Sequence, residues 1–276
     1  MATVPHGVQA AGVVDIVLPQ EEGEALADWA TEIIADGRLP DPSETGRIAP
    51  SLRAVADAAL AHGAAMVSGL PVAEPLGLLA CCAIWGNPPS MDAEAVFDIR
   101  MAAADDIDLV GRARSRHAMR PHTDSSLADA PDRLIVMAAV RADTHGGGLS
   151  ELVFADDVEP ALEAADDEPI DDLVVPFAWD PDHAAKPRTS WLPVALPGGG
   201  MRWHSDLVAA GCDIDEPSES VRRRAKRVQQ AVDRCQRTRV AIPEGSTLVL
   251  DNHRVLHGRT ALQDPKRLLR RVKLAL

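Results

Sequence analysis

The sequence predicts a mainly β domain with flanking helices, its core a sandwich or barrel. From about residue 95 the chain breaks into short apolar runs of strand type, separated by Gly, Pro or Asp. That spacing belongs to folds built from many short strands. The first third instead places apolar residues at helical intervals. The 276 residues, 46% of them hydrophobic, suffice for one large core, and no linker-like stretch divides them. The expectation is a single domain, 1–276, in which a helical part (1–90) packs on a β core (91–276).

Each element follows in order. EEGEALADWATEIIADG (21–37) reads as a helix, with an acidic start and Gly37 as its stop. Residues 38–51, rich in Pro, Asp and Ser, read as a loop. SLRAVADAALAHG (51–63) is a second helix, capped by Ser51 and ended by Gly63. AAMVSGLPV reads as a buried strand turning at Gly69 and Pro71, and LGLLACCAIWG as a buried helix. VFDIR, RLIVMAAVR, SELVF, DDLVVPFAW, WLPVAL, MRWHS, RTRVAI, STLVLDN and RVKLAL are the strands of the core. One long helix, about 216–239, interrupts them. Its Arg222, Arg223, Arg224, Lys226 and Arg227 form either an anion-binding patch or the solvated face of a surface helix.

Composition narrows the function. A net charge of -14 argues against a nucleic-acid binder, which needs a basic face to release counterions. Cys81, Cys82, Cys212 and Cys235 include no CxxC pair, which fits reduced thiols in the cytoplasm. No segment approaches a membrane span, and the N-terminus lacks a basic region followed by a long apolar run. The expected partner is a small molecule, with no nucleic acid and no membrane.

The sharpest motif is Pro121-His122-Thr123-Asp124. On a strand, His-x-Asp points both side chains to one face, so an imidazole and a carboxylate converge. His257, in LVLDNHRVLHGRT, is the candidate third ligand. Two histidines and one carboxylate on one face leave three positions open, the set used by non-haem iron(II). Two other readings stand beside it. His-x-Asp also occurs as surface polar residues, and His253 and His257, four apart, would form a zinc pair on a helix. A zinc peptidase would need Glu where Arg254 stands, and LVLDN favours a strand leading to a turn.

Arg267 and Arg271 follow, four apart in KRLLRRVKLAL. On a strand they share a face and could look toward His257, offering a planar clamp for a carboxylate. A basic C-terminal edge strand is the plainer reading. GGGLSEL (146–152) adds Ser150 as a hydrogen-bond donor on a loop that tolerates close backbone approach.

Together these pieces resemble the clavaminate synthase and taurine dioxygenase superfamily of iron(II)/2-oxoglutarate oxygenases. GAAMVSGLPV looks like the family's early strand and turn, and PHTDSS like its HxD motif. GGGLS looks like the segment that gives a hydroxyl to 2-oxoglutarate, with Ser150 in place of the usual threonine. LVLDNHRVLHGRTAL followed by RLLRR looks like the distal histidine and the cosubstrate arginine. The resemblance implies a double-stranded β-helix, a cupin-like jelly roll, with iron(II) held by His122, Asp124 and His257. It implies that 2-oxoglutarate chelates iron and that its far carboxylate pairs with Arg267 rather than Arg270, assisted by Ser150 or Arg271. Oxygen would then be used to hydroxylate an unactivated C–H bond, with release of succinate and carbon dioxide. Desaturation or ring closure would use the same oxidant. Halogenating relatives lack the carboxylate ligand, so Asp124 argues against that chemistry. A zinc hydrolase and a non-catalytic jelly-roll binding protein are the alternatives of a different class.

For the substrate, GRARSRHAMR brings Arg112, Arg114, Arg116 and Arg120 just ahead of the metal motif. They could receive an anion, or pair with Asp105, Asp106 and Asp108. Arg202, His204, Ser205 and Asp206 lie where related amino acid hydroxylases carry substrate contacts. Arg116, Ser126, Arg202 and Asp206 are therefore the candidate substrate residues, and a free or modified amino acid of specialised metabolism is the expected substrate.

Overall fold

The computed structural model describes residues 6–10, 12–39, 41–101, 114–163, 170–179 and 188–276. Two strands open the chain, β1 (His6–Ala10) and β2 (Val13–Val17). Helices α1 (Gln20–Ala35), α2 (Pro42–Ile48) and α3 (Arg53–His62) follow, then β3 (Ala64–Ser68) and α4 (Pro75–Cys82). The remaining strands before the insert are β4 (Phe97–Arg100), β5 (Met119–His122), β6 (Leu134–Arg141) and β7 (Ser150–Phe154).

The insert holds α5 (Ala155–Glu163), β8 (Val174–Trp179), β9 (Arg188–Pro193), α6 (Ser205–Asp215) and α7 (Glu219–Arg234). The chain closes with β10 (Thr238–Val240), β11 (Ser246–Asp251), β12 (Val255–Arg259) and β13 (Leu268–Leu274). A seven-stranded sheet runs β1-β2-β3-β11-β6-β13-β4 and a four-stranded sheet runs β10-β7-β12-β5. The β8-β9 hairpin stands apart.

Strand alternation builds two cores on the two faces of the large sheet. On β6, Ile135, Met137 and Ala139 face the small sheet together with Leu248 and Leu250 of β11 and Leu152 of β7. Leu134, Val136 and Ala138 face the opposite way, with Val249, and take the helices α3 and α4 through Val55, Ala59, Leu78 and Leu79. Each Val, Leu, Ile or Met side chain among these, when fully buried, contributes about 1.5–3 kcal/mol. A third core under the insert centres on Phe177, Trp203 and Val228.

Four expectations need correction. The first 90 residues are not only helical, because β2 lies parallel to β3 in register from Val13↔Ala64 and extends the large sheet. VVDIV buries Val13, Val14 and Ile16 and exposes Val17, so it shows no clean alternation, and it is short with a partner remote in sequence. The loop at 38–51 contains α2, with Asp41 accepting from Ser43 N and Pro42 at the first turn. Ser51 is not a helix cap: a 3-10 turn (Pro50–Leu52) precedes α3, and the Ser51 hydroxyl and amide bond to Glu22. The long helix is shorter than 216–239, and it is one of three among the described residues of the insert, since MRWHS leads straight into α6. The Gly63 stop holds, at φ +91°.

Candidate metal centre

The small sheet positions the site. β12 pairs antiparallel with β5 so that His257 lies opposite His122. Gly258 makes this approach possible, because a Cβ there would fall 2.4 Å from Met119 O. The two imidazole rings sit 4.7 Å apart, centroid to centroid. β5 ends at His122, so Asp124 is not on the same strand as expected but in the turn that follows. It is aimed by Asn252, which is fully buried, accepts from Asp124 N at 2.9 Å and donates to Asp124 O at 3.1 Å. The same amide donates to Asp132 O. Ser125, at φ +56°, completes a tight turn.

His122, Asp124 and His257 each offer one ligand atom, and these atoms lie within 4.8 Å of one another. All three residues are buried. His122 Nδ1 faces Arg120 O at 2.9 Å, which places the proton there and leaves Nε2 free to ligate. Burial, then the neighbouring His122, push the His257 imidazole down to about 3, so it is neutral as a ligand must be. Its Nδ1 is buried without a hydrogen-bond partner among the described residues. Burial alone would raise the Asp124 carboxyl. The Arg271 guanidinium, His122, His257 and Lys273 outweigh it and hold the carboxyl well below the usual range. Two imidazoles and one carboxylate fit a divalent iron ion.

The zinc pair does not form. His253 lies in the turn between β11 and β12, with Nε2 3.0 Å from Pro131 O and Nδ1 3.2 Å from Arg133 Nη1.

Beside His257 a narrow cavity is bordered by Ser150, Arg259, Arg267 and Arg271. Arg267 precedes β13 and packs on Gly148, where a Cβ would lie 2.8 Å from its Nε. Arg271 and Arg270 point to opposite faces of β13. Arg270 leaves the site for Asp98 and the Val72 carbonyl. Arg271 reaches Asp124 Oδ2 at 3.0 Å, and Lys273 reaches the same oxygen at 3.6 Å. Two carboxylates staple the loops that hold Arg267. Asp143 accepts from the amides of Gln263, Asp264, His145 and Gly147, and Asp264 accepts from Thr144 Oγ1 at 2.7 Å.

On the other side of His122 a cavity of about 230 Å³ is lined by His117, Arg120, His204, Ser205 and Asp206. The His204 ring is 4.9 Å from that of His122. Of the four candidate substrate residues only Asp206 borders this cavity. Arg116 is exposed, with its carbonyl accepting from Leu262 N. Ser126 turns back on the Thr123 carbonyl, and Arg202 is buried against Asp129 O. Of the arginine run, Arg114 lies over the Phe97 ring at 5.0 Å, while Arg112 and Asp105, Asp106 and Asp108 lie outside the described residues. In α7, Arg224 pairs with Asp172, so that part of the basic stretch is a paired surface.

The sequence reading quoted LVLDNHRVLHGRTAL but gave no role to its Asn252 and Arg259, and it did not single out Asp143 or Asp264. Arg259 carried a signal, since it lies two residues past His257 on a strand. The others show only in tertiary contacts. Asn252→Ala is expected to cost about 2 kcal/mol, because it strands buried backbone groups of Asp124 and Asp132. Thermal unfolding would show it, and iron(II) affinity should fall with it. Unchanged affinity would mean that Asp124 is aimed by something else.

The family model described as taurine catabolism dioxygenase TauD, TfdA family matches residues 22–273. None of the curated proteins matches the sequence. Among solved structures, asparagine oxygenase in complex with Fe(II), 2S,3S-3-hydroxyasparagine and succinate is similar at 17% identity and TM-score 0.74, over 95% of this chain and 93% of that one. The non-heme iron oxygenase OrfP with Fe and alpha-ketoglutaric acid is similar at 18% identity and TM-score 0.69, over 95% and 94%. The same oxygenase with Fe, succinate and (3R,4R)-dihydroxy-L-Arg gives 18% identity and TM-score 0.68, over 95% and 94%. At these identities the likeness shows the fold.

Proposed function

The chain belongs to the TauD, TfdA dioxygenase family and is by that membership an iron(II)/2-oxoglutarate-dependent oxygenase, and from this premise we propose that it hydroxylates a free or modified amino acid. The observation that carries the reading is the convergence of His122, Asp124 and His257 between two cavities, one cationic and one of mixed charge. His122, Asp124 and His257 would hold iron(II). With bound iron(II), 2-oxoglutarate and O2 would supply the oxidation of an unactivated C–H bond: one oxygen atom enters the new hydroxyl, the other enters succinate, and carbon dioxide leaves.

The protein's own part is binding and exclusion. Arg267 and Ser150, which line the cavity beside His257, would hold the far carboxylate of 2-oxoglutarate. Arg271 and Lys273 fix one oxygen of Asp124, leaving Oδ1, which faces His122 Nε2 at 3.5 Å, for the metal. Asp206 would take an ammonium or amide of the substrate, with His204 and Ser205 completing the wall. Asparagine oxygenase and OrfP carry amino acid products in their structures, which supports this substrate class. We place the enzyme in the cytoplasm, on its four free cysteines. No helix among the described residues is long and apolar enough to cross a membrane.

The test is succinate formation and oxygen uptake with iron(II), ascorbate, 2-oxoglutarate and a panel of amino acids. Substrate-dependent succinate above the uncoupled background, with a product heavier by one oxygen atom, is the expected result. A panel that never raises succinate would remove the amino acid reading.

A further inference from the structure

The cavity beside His122 adjoins a second one, between α6 and α7, that a free amino acid does not use. We infer that the substrate is longer: an amino acid joined through its carboxyl to a slender chain ending in an anion, with that chain laid along the second cavity. This deepens the amino acid reading and rests on it.

The two cavities share a wall. Arg120, Ser205 and Asp206 border both, so the second, of about 340 Å³, begins where the one beside His122 ends. Small-molecule sites usually enclose about 300–1,000 Å³. The cavity beside His122, at about 230 Å³, falls short of that range, and the joined pair reaches it. Each helix presents one face to the second cavity. Ser205, Val208 and Cys212 of α6, and Arg222, Ala225 and Gln229 of α7, stand three or four positions apart.

The floor is apolar and fixed. Trp203, Val208, Cys212 and Ala225 belong to the core under the insert. Trp203 is 1% exposed, and its Nε1 donates to Gln229 Oε1 at 2.8 Å. Its carbonyl accepts from Thr123 N at 2.7 Å, so the floor is tied to the backbone between His122 and Asp124. A hydrocarbon chain on such a floor strengthens binding about 4-fold per buried methylene.

The rim carries the charge. In α7, Arg222 is engaged by Cys212 O at 2.7 Å and by Asp213 at 3.9 Å, and Arg224 pairs with Asp172. Lys226 and Arg120 remain. Both side chains border the second cavity, both residues are exposed, and neither side chain has a hydrogen bond or ion pair among the described residues. Two such cations on one groove, in a chain of net charge -14, suit an anion. An ammonium held at Asp206 leaves the carboxyl end of the amino acid to continue past Arg120, over Val208 and Ala225, to Lys226.

The experiment uses the full chain with iron(II), 2-oxoglutarate and oxygen, and three forms of each amino acid in the panel. These are the free acid, its amide with 4-aminobutyrate, and its amide with 4-aminobutyramide, which keeps the shape without the terminal charge. The readouts are kcat/KM for substrate-dependent succinate and the mass of the product. The 4-aminobutyrate form should exceed the free acid by about 10-fold or more, from methylenes laid on the floor. It should exceed the neutral form by about 3–10-fold, since ion pairs at an exposed rim are weak. Lys226→Glu should bring that charged-to-neutral ratio to about one or below, and Lys226→Gln should fall between. Free acids that match their 4-aminobutyrate amides within about 2-fold would overturn the extension and leave the amino acid reading standing. Equal turnover of the charged and neutral forms by the wild type, or a ratio that Lys226→Glu does not move, would overturn the anion site. If no form of any amino acid raises succinate above the uncoupled background, the amino acid reading fails and the extension falls with it.

Discussion

Asp124→Ala is expected to abolish iron(II) binding and all substrate-dependent succinate formation. The side chain is one of the three proposed iron ligands, and it is also the shared counter-charge of Arg271 and Lys273. Its loss therefore removes a donor and leaves two cations aimed at the same spot, so metal affinity falls for two reasons. Removing one partner of a buried ion pair costs about 3–5 kcal/mol. The low end applies to the metal-free protein, because Arg271 and Lys273 keep partial access to water, at 19% and 28% side-chain exposure. Chelator competition reads the metal loss and thermal unfolding reads the stability loss. Asp124→Asn should recover part of the stability but not the iron, since it keeps shape without charge. An alanine variant that bound iron as the wild type does would refute the triad.

Gly258→Ala should be nearly as damaging although the residue touches no ligand. Its Cβ would meet Met119 O at 2.4 Å and Arg120 C and Pro121 N at 2.9 Å. All three are backbone atoms of β5, so no side chain can swing aside. The strands must part, and the His257↔His122 register is what they carry. Overpacking of this kind costs about 1–3 kcal/mol. A displacement of about 1 Å at the reacting centre lowers turnover on the order of 100-fold. Iron titration of a folded Gly258→Ala variant checks it. Wild-type affinity would mean that β5 and β12 can shift together.

Much of this was written in local pattern. RLIVMAAVR and STLVLDN read as strands because buried sheet positions demand Leu, Ile and Val whatever lies beside them. Gly63 marked a helix stop because its backbone adopts φ +91°, which other residues avoid. The choice of Arg267 over Arg270 rested on the spacing that resembles the family's, and alternation along β13 turns Arg270 outward. VVDIV was missed because five residues with one exposed end give too little periodicity. α6 was missed because MRWHS has strand-like composition, and only the buried Trp203 and its neighbours show how it ends.

What the sequence determined by itself is the side-chain chemistry on offer, two imidazoles and a carboxylate with arginines close to the last strand, and most of the strands of the core. Side-chain type and period-two alternation are local properties, so they survive without coordinates. The tertiary structure alone decided the pairing of Arg271 with Asp124, the aiming of Asp124 by Asn252 and the stapling of the Arg267 loop by Asp143. Those depend on distances between residues more than a hundred positions apart in the chain, and charge–charge and hydrogen-bond energies change steeply with such distances while sequence spacing does not record them.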